Sequence, residues 1–290
     1  MPRKLLFIVN PNAGKKISSK VIDIIRAEFP ENIYYQIVIW KNKDHFDEIT
    51  ELLKTQDYTD AIAVGGDGTV NHVAKTILNT NIRLGIVPIG SGNGLARSLG
   101  LSMKIEEVIH QIALGKTGTI DSGVVNGVPF FCTSGIGFDA HIGHLFASSK
   151  KRGLQSYVKI ILSQLLNYRA KEYILTINNR TFKRKAFLVT VANAGQYGND
   201  FYIAPQASLS DGLFHVVILK PFKPHQIVGL MYHILTRKAY KNSCIETFVT
   251  NQLTIERQNK DTIHFDGEPM MQTERVVFEN KPDSLKVILG

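Results

Sequence analysis

The chain has 290 residues, 44% of them apolar, with 34 Lys and Arg against 25 Asp and Glu for a formal charge of +9. That material suffices for two domains with sizeable cores and excludes the disordered and collagen-like classes. The cationic surplus is spread along the chain and suits an anionic partner, while the lone cysteines Cys132 and Cys244 lack the spacing of a zinc site or disulfide framework and suit a reducing cytoplasm.

From Lys4 to about Lys116 the pattern alternates between strand and helix, which predicts parallel βα units. The run "KLLFIVN" reads as a strand and meets Asn10-Pro11-Asn12 too soon for a signal peptide. "SSKVIDIIRAEF" sets Val21, Ile24, Ile25 and Phe29 on one helical face behind a serine cap. "IYYQIVIW" is a second strand, followed by a helix carrying Phe46, Ile49, Leu52 and Leu53. "AIAVGG" and "LGIVPIG" are short apolar strands of the kind buried on both faces of a parallel sheet. Each runs directly into glycine and then a helix.

After about Gly118 hairpin signals take over. "GVVNGVPFFCTSGIG" places Asn126-Gly127 between two strands, and "YILTINNRTFKRKAFLVTVANA" turns at Asn178-Asn179. Further strands are expected at "DGLFHVVILK", "ETFVTNQLTIERQ", "TIHFDGEPM" and "RVVFEN", with helices near 153–168 and 224–238. The closing "SLKVILG" suits a strand of either half. The change of pattern divides the chain into an α/β domain over 1–120, completed by 281–290, and a mainly antiparallel β domain over 121–280. Exposed strand edges in the second domain would allow a homodimer. No run approaches the roughly 20 apolar residues needed to span a bilayer.

Three glycine-containing turns follow strands of the first half: "NPNAGKK", "GGDGTVNH" and "GSGNGLAR". In an open parallel sheet such turns gather at the carboxyl ends of the strands, where ligands bind. Glycine admits a phosphate close to the backbone, and the helix start beyond it offers free N–H groups and a positive dipole end. None of the three is a Walker A loop or a complete GxGxxG. Asp67 puts a carboxylate at the tip of such a turn. That makes sense if a divalent metal lies between it and the phosphates, or if it takes the proton of an attacking hydroxyl. Alternatively, it caps a helix beginning near Thr69.

"NPNAG", "GGDGTVN" and "PIGSGNGLAR", followed in order by "GIGFDA", "PQASLSDGLF" and "FDGEPM", resemble the lipid kinase superfamily of bacterial diacylglycerol kinases and sphingosine and ceramide kinases. The resemblance covers nearly the whole chain. It implies an α/β nucleotide-binding domain, an antiparallel β-sandwich domain, a site in the cleft between them, and an ATP-dependent transfer to a lipid hydroxyl with Mg2+. Carried over by motif, Asn10, Pro11, Gly14 and Lys15 line the nucleotide site. Gly66, Asp67, Gly68 and Thr69 cradle phosphates, and Ser91, Gly92, Asn93 and Arg152 face them. Glu268 matches the general base of the bacterial diacylglycerol kinases, and Asp67 the base assigned in sphingosine kinases. The two form the expected catalytic pair, with Glu268 as base. Asp211, with carbonyls near Ser208 and Leu213, matches a structural magnesium site, for which the bare residues imply only a hairpin turn. Asp139 matches an aspartate that meets the lipid head group.

Three positions depart from the family: Gly94 stands where Asp is usual, His72 where Glu is usual, and Trp40 where Thr is common. Trp40 can instead stack on the adenine. A lipid acceptor calls for peripheral, salt-sensitive contact with an anionic membrane, for which "SKKRGLQSYVKIILSQLLNYR" and "HQIVGLMYHILTRKAYK" are the amphipathic candidates. Two other readings are open: an NAD kinase, which shares "GGDGT", and a catalytically weak nucleotide- or lipid-binding protein. No nucleic-acid recognition module is visible.

Overall fold

The structure is a computed structural model that describes residues 2–14, 17–149, 154–165, 167–198 and 201–290. The chain divides into two compact units, Met1–Ile120 with Asp283–Gly290, and Asp121–Pro282.

In chain order the first unit contains β1 (Lys4–Val9), α1 (Ile17–Glu28), β2 (Tyr34–Ile39), α2 (Lys43–Thr55), β3 (Asp60–Gly65), α3 (Asp67–Ile77), β4 (Arg83–Pro88), α4 (Gly94–Ser98) and α5 (Ile105–Leu114). Its parallel sheet has the order β2-β1-β3-β4. The buried strands β1 and β3 are apolar nearly throughout because helices cover both sheet faces. Asp60 is the exception: wholly buried at the start of β3, it meets Arg3 Nε at 3.2 Å and Arg83 Nε at 2.6 Å. Arg3 also donates to the carbonyls of Ile112 and Ala113 at the end of α5, where the helix dipole favours a cation. Helix α1 begins at Ile17, so the serines expected ahead of it lie inside its first turn.

β5 (Thr117–Val125) leads into the second unit. There follow β6 (Val128–Phe130), β7 (Thr133–Gly137), α6 (Phe138–Ala147), α7 (Leu154–Gln164), β8 (Lys171–Ile177), β9 (Arg180–Ala186), β10 (Leu188–Ala192) and β11 (Phe214–Leu219). The remainder is α8 (Ile227–Leu235), β12 (Ile245–Thr250), β13 (Gln252–Glu256), β14 (Asp261–Phe265), β15 (Glu268–Gln272) and β16 (Arg275–Ile288). One antiparallel sheet runs β12-β11-β10-β7-β14-β15, and in the other β13 joins β8 and β9 to the first part of β16. Phe130, Tyr173, Phe214, Phe265 and Phe278 fill the sandwich core between them. The opposite face of the six-stranded sheet is covered by helices, with Ile142 of α6 and Leu230 and Ile234 of α8 in a second core.

Asn126-Gly127 and Asn178-Asn179 are two-residue hairpin turns with every φ positive, as their residue types favour. "TIHFDGEPM", expected as one strand, is a third such hairpin, because Asp266 and Gly267 turn the chain at φ of 49° and 87°. "ETFVTNQLTIERQ" likewise divides at Asn251 into β12 and β13, which belong to different sheets. The end of β16 returns to the first unit, where Val287 pairs in parallel with Leu84 of β4. No helix among the described residues is long and apolar enough to cross a membrane.

Candidate active site

In the first unit the glycine turns follow β1, β3 and β4, which are neighbours in the sheet. Asn10 ties the first turn to the second: its Nδ2 donates to Thr69 Oγ1 at 2.9 Å, and its Oδ1 accepts the Asn12 N–H at 2.9 Å. The second and third turns interlock. A Cβ on Gly90 would sit 2.5 Å from the Gly66 Cα, so this approach requires glycine.

Asp67 is the first residue of α3, with Gly66 as N-cap, so it is not the cap of a helix beginning near Thr69, the alternative reading of this turn. Its Oδ2 accepts the Asn93 N–H at 2.9 Å and its Oδ1 the Gly94 N–H at 2.7 Å. The carboxylate thus caps the start of the neighbouring helix, α4, instead of its own. A Cβ on Gly92 would meet Asp67 Oδ2 at 2.6 Å. Asn93, with φ of 53°, folds its side-chain amide back onto the N–H and carbonyl of Gly90. Pro11, Gly68 and Ser91 are exposed, Gly14 is half-buried and Thr69 is buried. Lys15 and Arg152 lie outside the described residues.

Two of the three departures from the family meet in space. The Trp40 and His72 ring centroids are 5.2 Å apart, and Phe46 packs on both at 4.8 and 5.6 Å. Nδ1 of His72 lies 2.8 Å from the Gly68 carbonyl, which can only accept, so that nitrogen carries the proton. The aromatic group is thereby fastened to the second glycine turn.

In the second unit Asp139 lies at the start of α6 with a side chain only 9% exposed. Its Oδ2 accepts from Thr190 Oγ1 at 2.9 Å, His264 Nε2 at 3.1 Å and Tyr197 OH at 3.4 Å. Its Oδ1 accepts the Ala140 N–H. Burial pushes the nearby Tyr168 phenol up, and the charges of Asp261 and Asp139 add to the rise, so it stays neutral at physiological pH. Thr190, Tyr197 and His264 carry no motif; a single His within the apolar run of β14 was the available signal.

Asp266 accepts the backbone N–H groups of Phe131, Cys132 and Thr133 at 2.8, 2.7 and 3.0 Å. This anchor and the Gly267 turn set Glu268, exposed, at the first position of β15. In the Asp211 turn, Asp211 Oδ1 accepts the Leu213 N–H at 3.0 Å, while buried Asp121 accepts from Gly212 and donates its own N–H to the Leu209 carbonyl. The turn leads into β11 and does not join two strands, so it is no hairpin. Among the described residues no three His, Cys, Asp or Glu side chains cluster as a metal site.

Residues 4–125 match the diacylglycerol kinase catalytic domain, and residues 133–289 match the YegS C-terminal NAD kinase beta sandwich-like domain. The diacylglycerol kinase of Bacillus subtilis (strain 168) is 25% identical over 92% of this chain and 90% of its own length. An uncharacterised protein of Synechocystis is 26% identical over 92% of this chain, which spans 62% of that protein's length. In fold, a crystal structure of a diacylglycerol kinase from Bacillus anthracis aligns with a TM-score of 0.72 at 20% identity, covering 99% of this chain and 97% of the other. An NAD kinase from Archaeoglobus fulgidus, solved with ATP, aligns at 0.56 and 11% identity, covering 98% and 93%. By the match of both domains in order, the chain belongs to the diacylglycerol kinase-like lipid kinase superfamily and is a phosphotransferase with an alcohol acceptor.

Proposed function

We propose that the protein transfers the γ-phosphoryl group of ATP to a hydroxyl of a lipid, either diacylglycerol-like or a sphingoid long-chain base. The observation that carries this reading is the interlocked pair of glycine turns, braced by Asp67 and opening at exposed Gly68 and Ser91 beside the start of α3. Phosphoryl transfer asks a protein chiefly for alignment and charge neutralisation, and a rigid backbone cradle at a helix start answers that demand.

In the transfer the lipid oxygen bonds to the γ-phosphorus, the bond from that phosphorus to the β,γ-bridging oxygen breaks, and ADP leaves. The hydroxyl proton passes to a carboxylate. Glu268 suits that task, being exposed on a turn that Asp266 holds still. Asp67, with one backbone donor on each oxygen, is a fixed charge that keeps a lone pair per oxygen. Those are hard oxygen ligands of the type Mg2+ takes, and the ion when bound neutralises phosphate charge. The Asp211 turn offers one carboxylate plus carbonyls, a charge count that makes for weak divalent-ion binding.

The test is to offer labelled ATP and Mg2+ with diacylglycerol, sphingosine, ceramide or NAD as acceptor. Label is expected in a lipid, and Glu268→Gln should lower kcat about 10²- to 10⁴-fold. Label in NAD alone would replace this reading with an NAD kinase. ATP binding without any labelled acceptor would favour the binding-protein alternative.

A further inference from the structure

Helix α8, "IVGLMYHIL", is largely apolar all round except at His233, a composition that ordinarily marks a helix enclosed by protein. Here only one side is enclosed. Leu230 and Ile234 enter the core beneath the six-stranded sheet, whereas Val228, Tyr232 and Leu235 are 79%, 61% and 66% exposed and Met231 is exposed beside them. Positions 228, 231, 232 and 235 follow i, i+3, i+4, i+7 spacing, so they form a single outward stripe. Along the chain, the charges on either side of it have one sign. From Gly212 to Ile245 the sequence has no Asp or Glu, while Lys220, Lys223, Arg237, Lys238 and Lys241 bracket the helix, the last four exposed.

We propose that α8 docks the protein on an anionic membrane surface, lying in the plane of the head groups with this stripe inserted and the flanking cations against lipid phosphates. Nine residues rise only about 14 Å, far short of a span, so the helix lies on the bilayer without crossing it. A second copy of the chain is a poorer occupant. A two-fold contact through this patch would set its cations against the same cations of the partner, with no carboxylate from the segment to offset them. Helix α7 likewise exposes Val158 and Leu162, with Lys159 between them in sequence. The placement deepens the lipid-kinase reading, since it brings the enzyme to its acceptor, but vesicle binding can be measured without any turnover.

The experiment floats the full chain with vesicles of phosphatidylcholine alone or mixed with phosphatidylglycerol, at low and high salt. The comparison variants are Val228→Asn/Leu235→Asn and Lys238→Glu/Lys241→Glu. The parent protein should bind the mixed vesicles and release in salt. The charge-reversal double variant should weaken binding at least about fivefold, and the apolar double variant more than about tenfold, with both variants melting no lower than the parent. Equal binding to neutral and mixed vesicles overturns the proposal, as does undiminished binding by Val228→Asn/Leu235→Asn. So does a dimer that this variant converts to monomer while the parent ignores vesicles. Phosphorylation of a water-soluble short-chain acceptor, measured in parallel, separates the two readings. Vesicle binding without any lipid phosphorylation leaves docking standing and removes the kinase assignment, and turnover without vesicle binding does the reverse.

Discussion

Asp67 shows how much one carboxylate can do at a glycine turn. By accepting the Asn93 and Gly94 amides it fastens the second glycine turn to the third, and Asn10 fastens the first to the second through Thr69. Asp67→Ala should therefore lower stability by about 1–3 kcal/mol as well as activity, measured by thermal unfolding beside the kinase assay. Gly92→Ala, whose Cβ would press on Asp67, should cost activity while leaving the second unit's unfolding unchanged. Trp40 and His72, read one at a time, look like two losses from a nucleotide site. In the fold they are one packed unit with Phe46. A double-mutant cycle of Trp40→Thr and His72→Glu should show a coupling of about 0.5–1.5 kcal/mol in stability, and Trp40→Thr alone should raise KM for ATP. Asp60 works at the other end of β3. Asp60→Asn would strand the Arg3 and Arg83 guanidinium groups and should destabilise the first unit by about 3 kcal/mol.

At the level of strands and helices, whatever rests on local chemistry could be read directly. Buried parallel strands are apolar runs, and paired asparagines or Asn-Gly adopt positive φ, so β1, β3, β4 and two hairpins were visible in the sequence. What escaped depends on partners far along the chain. Helix α6 follows β7 without a break, and the φ of 97° at Gly137, the strand's last residue, redirects a chain that otherwise reads as continued strand. The hairpin at Asp266-Gly267 was hidden because the same residues served as a motif. The bonds of Asp139 to Thr190 and His264 span 51 and 125 residues, a separation no local pattern reports. The edges of the sandwich follow the same rule. Arg184 of β9 grips Glu246 of β12 through Nε and its terminal nitrogen at 2.9 and 3.0 Å, beside the stacked rings of Phe182 and Phe248. The Arg184 hydrogen bond, then its charge, holds the Glu246 carboxyl below its ordinary range. That contribution is complete above about pH 4.3 and disappears as the pH falls through the lowered value. Arg184→Gln should remove about 0.5–1 kcal/mol at pH 7 and flatten the acid limb of the unfolding midpoint below the ordinary glutamate range.

The molecule as a whole is two units drawn from one chain that crosses between them in β5 and returns in β16. Leu285, Val287 and Ile288 of the returning segment are buried in the first unit, although the rest of that unit ends at Ile120. Deleting Asp283–Gly290 would remove these three side chains from the core, uncover the apolar residues they pack on and leave β4 as an open edge. At about 1.5–3 kcal/mol for each buried side chain, the loss matches the whole stability of an ordinary domain. Calorimetry should show the first unit's transition abolished and the second unit's retained, with ATP binding gone. The same arrangement orders events in the cell. A nascent chain cannot complete its first unit until the intervening unit has been translated, a delay on the order of ten to thirty seconds at about 5–20 residues per second. Loss of the chain after Pro282 thus removes part of the first unit's own core, even though its glycine turns were translated first.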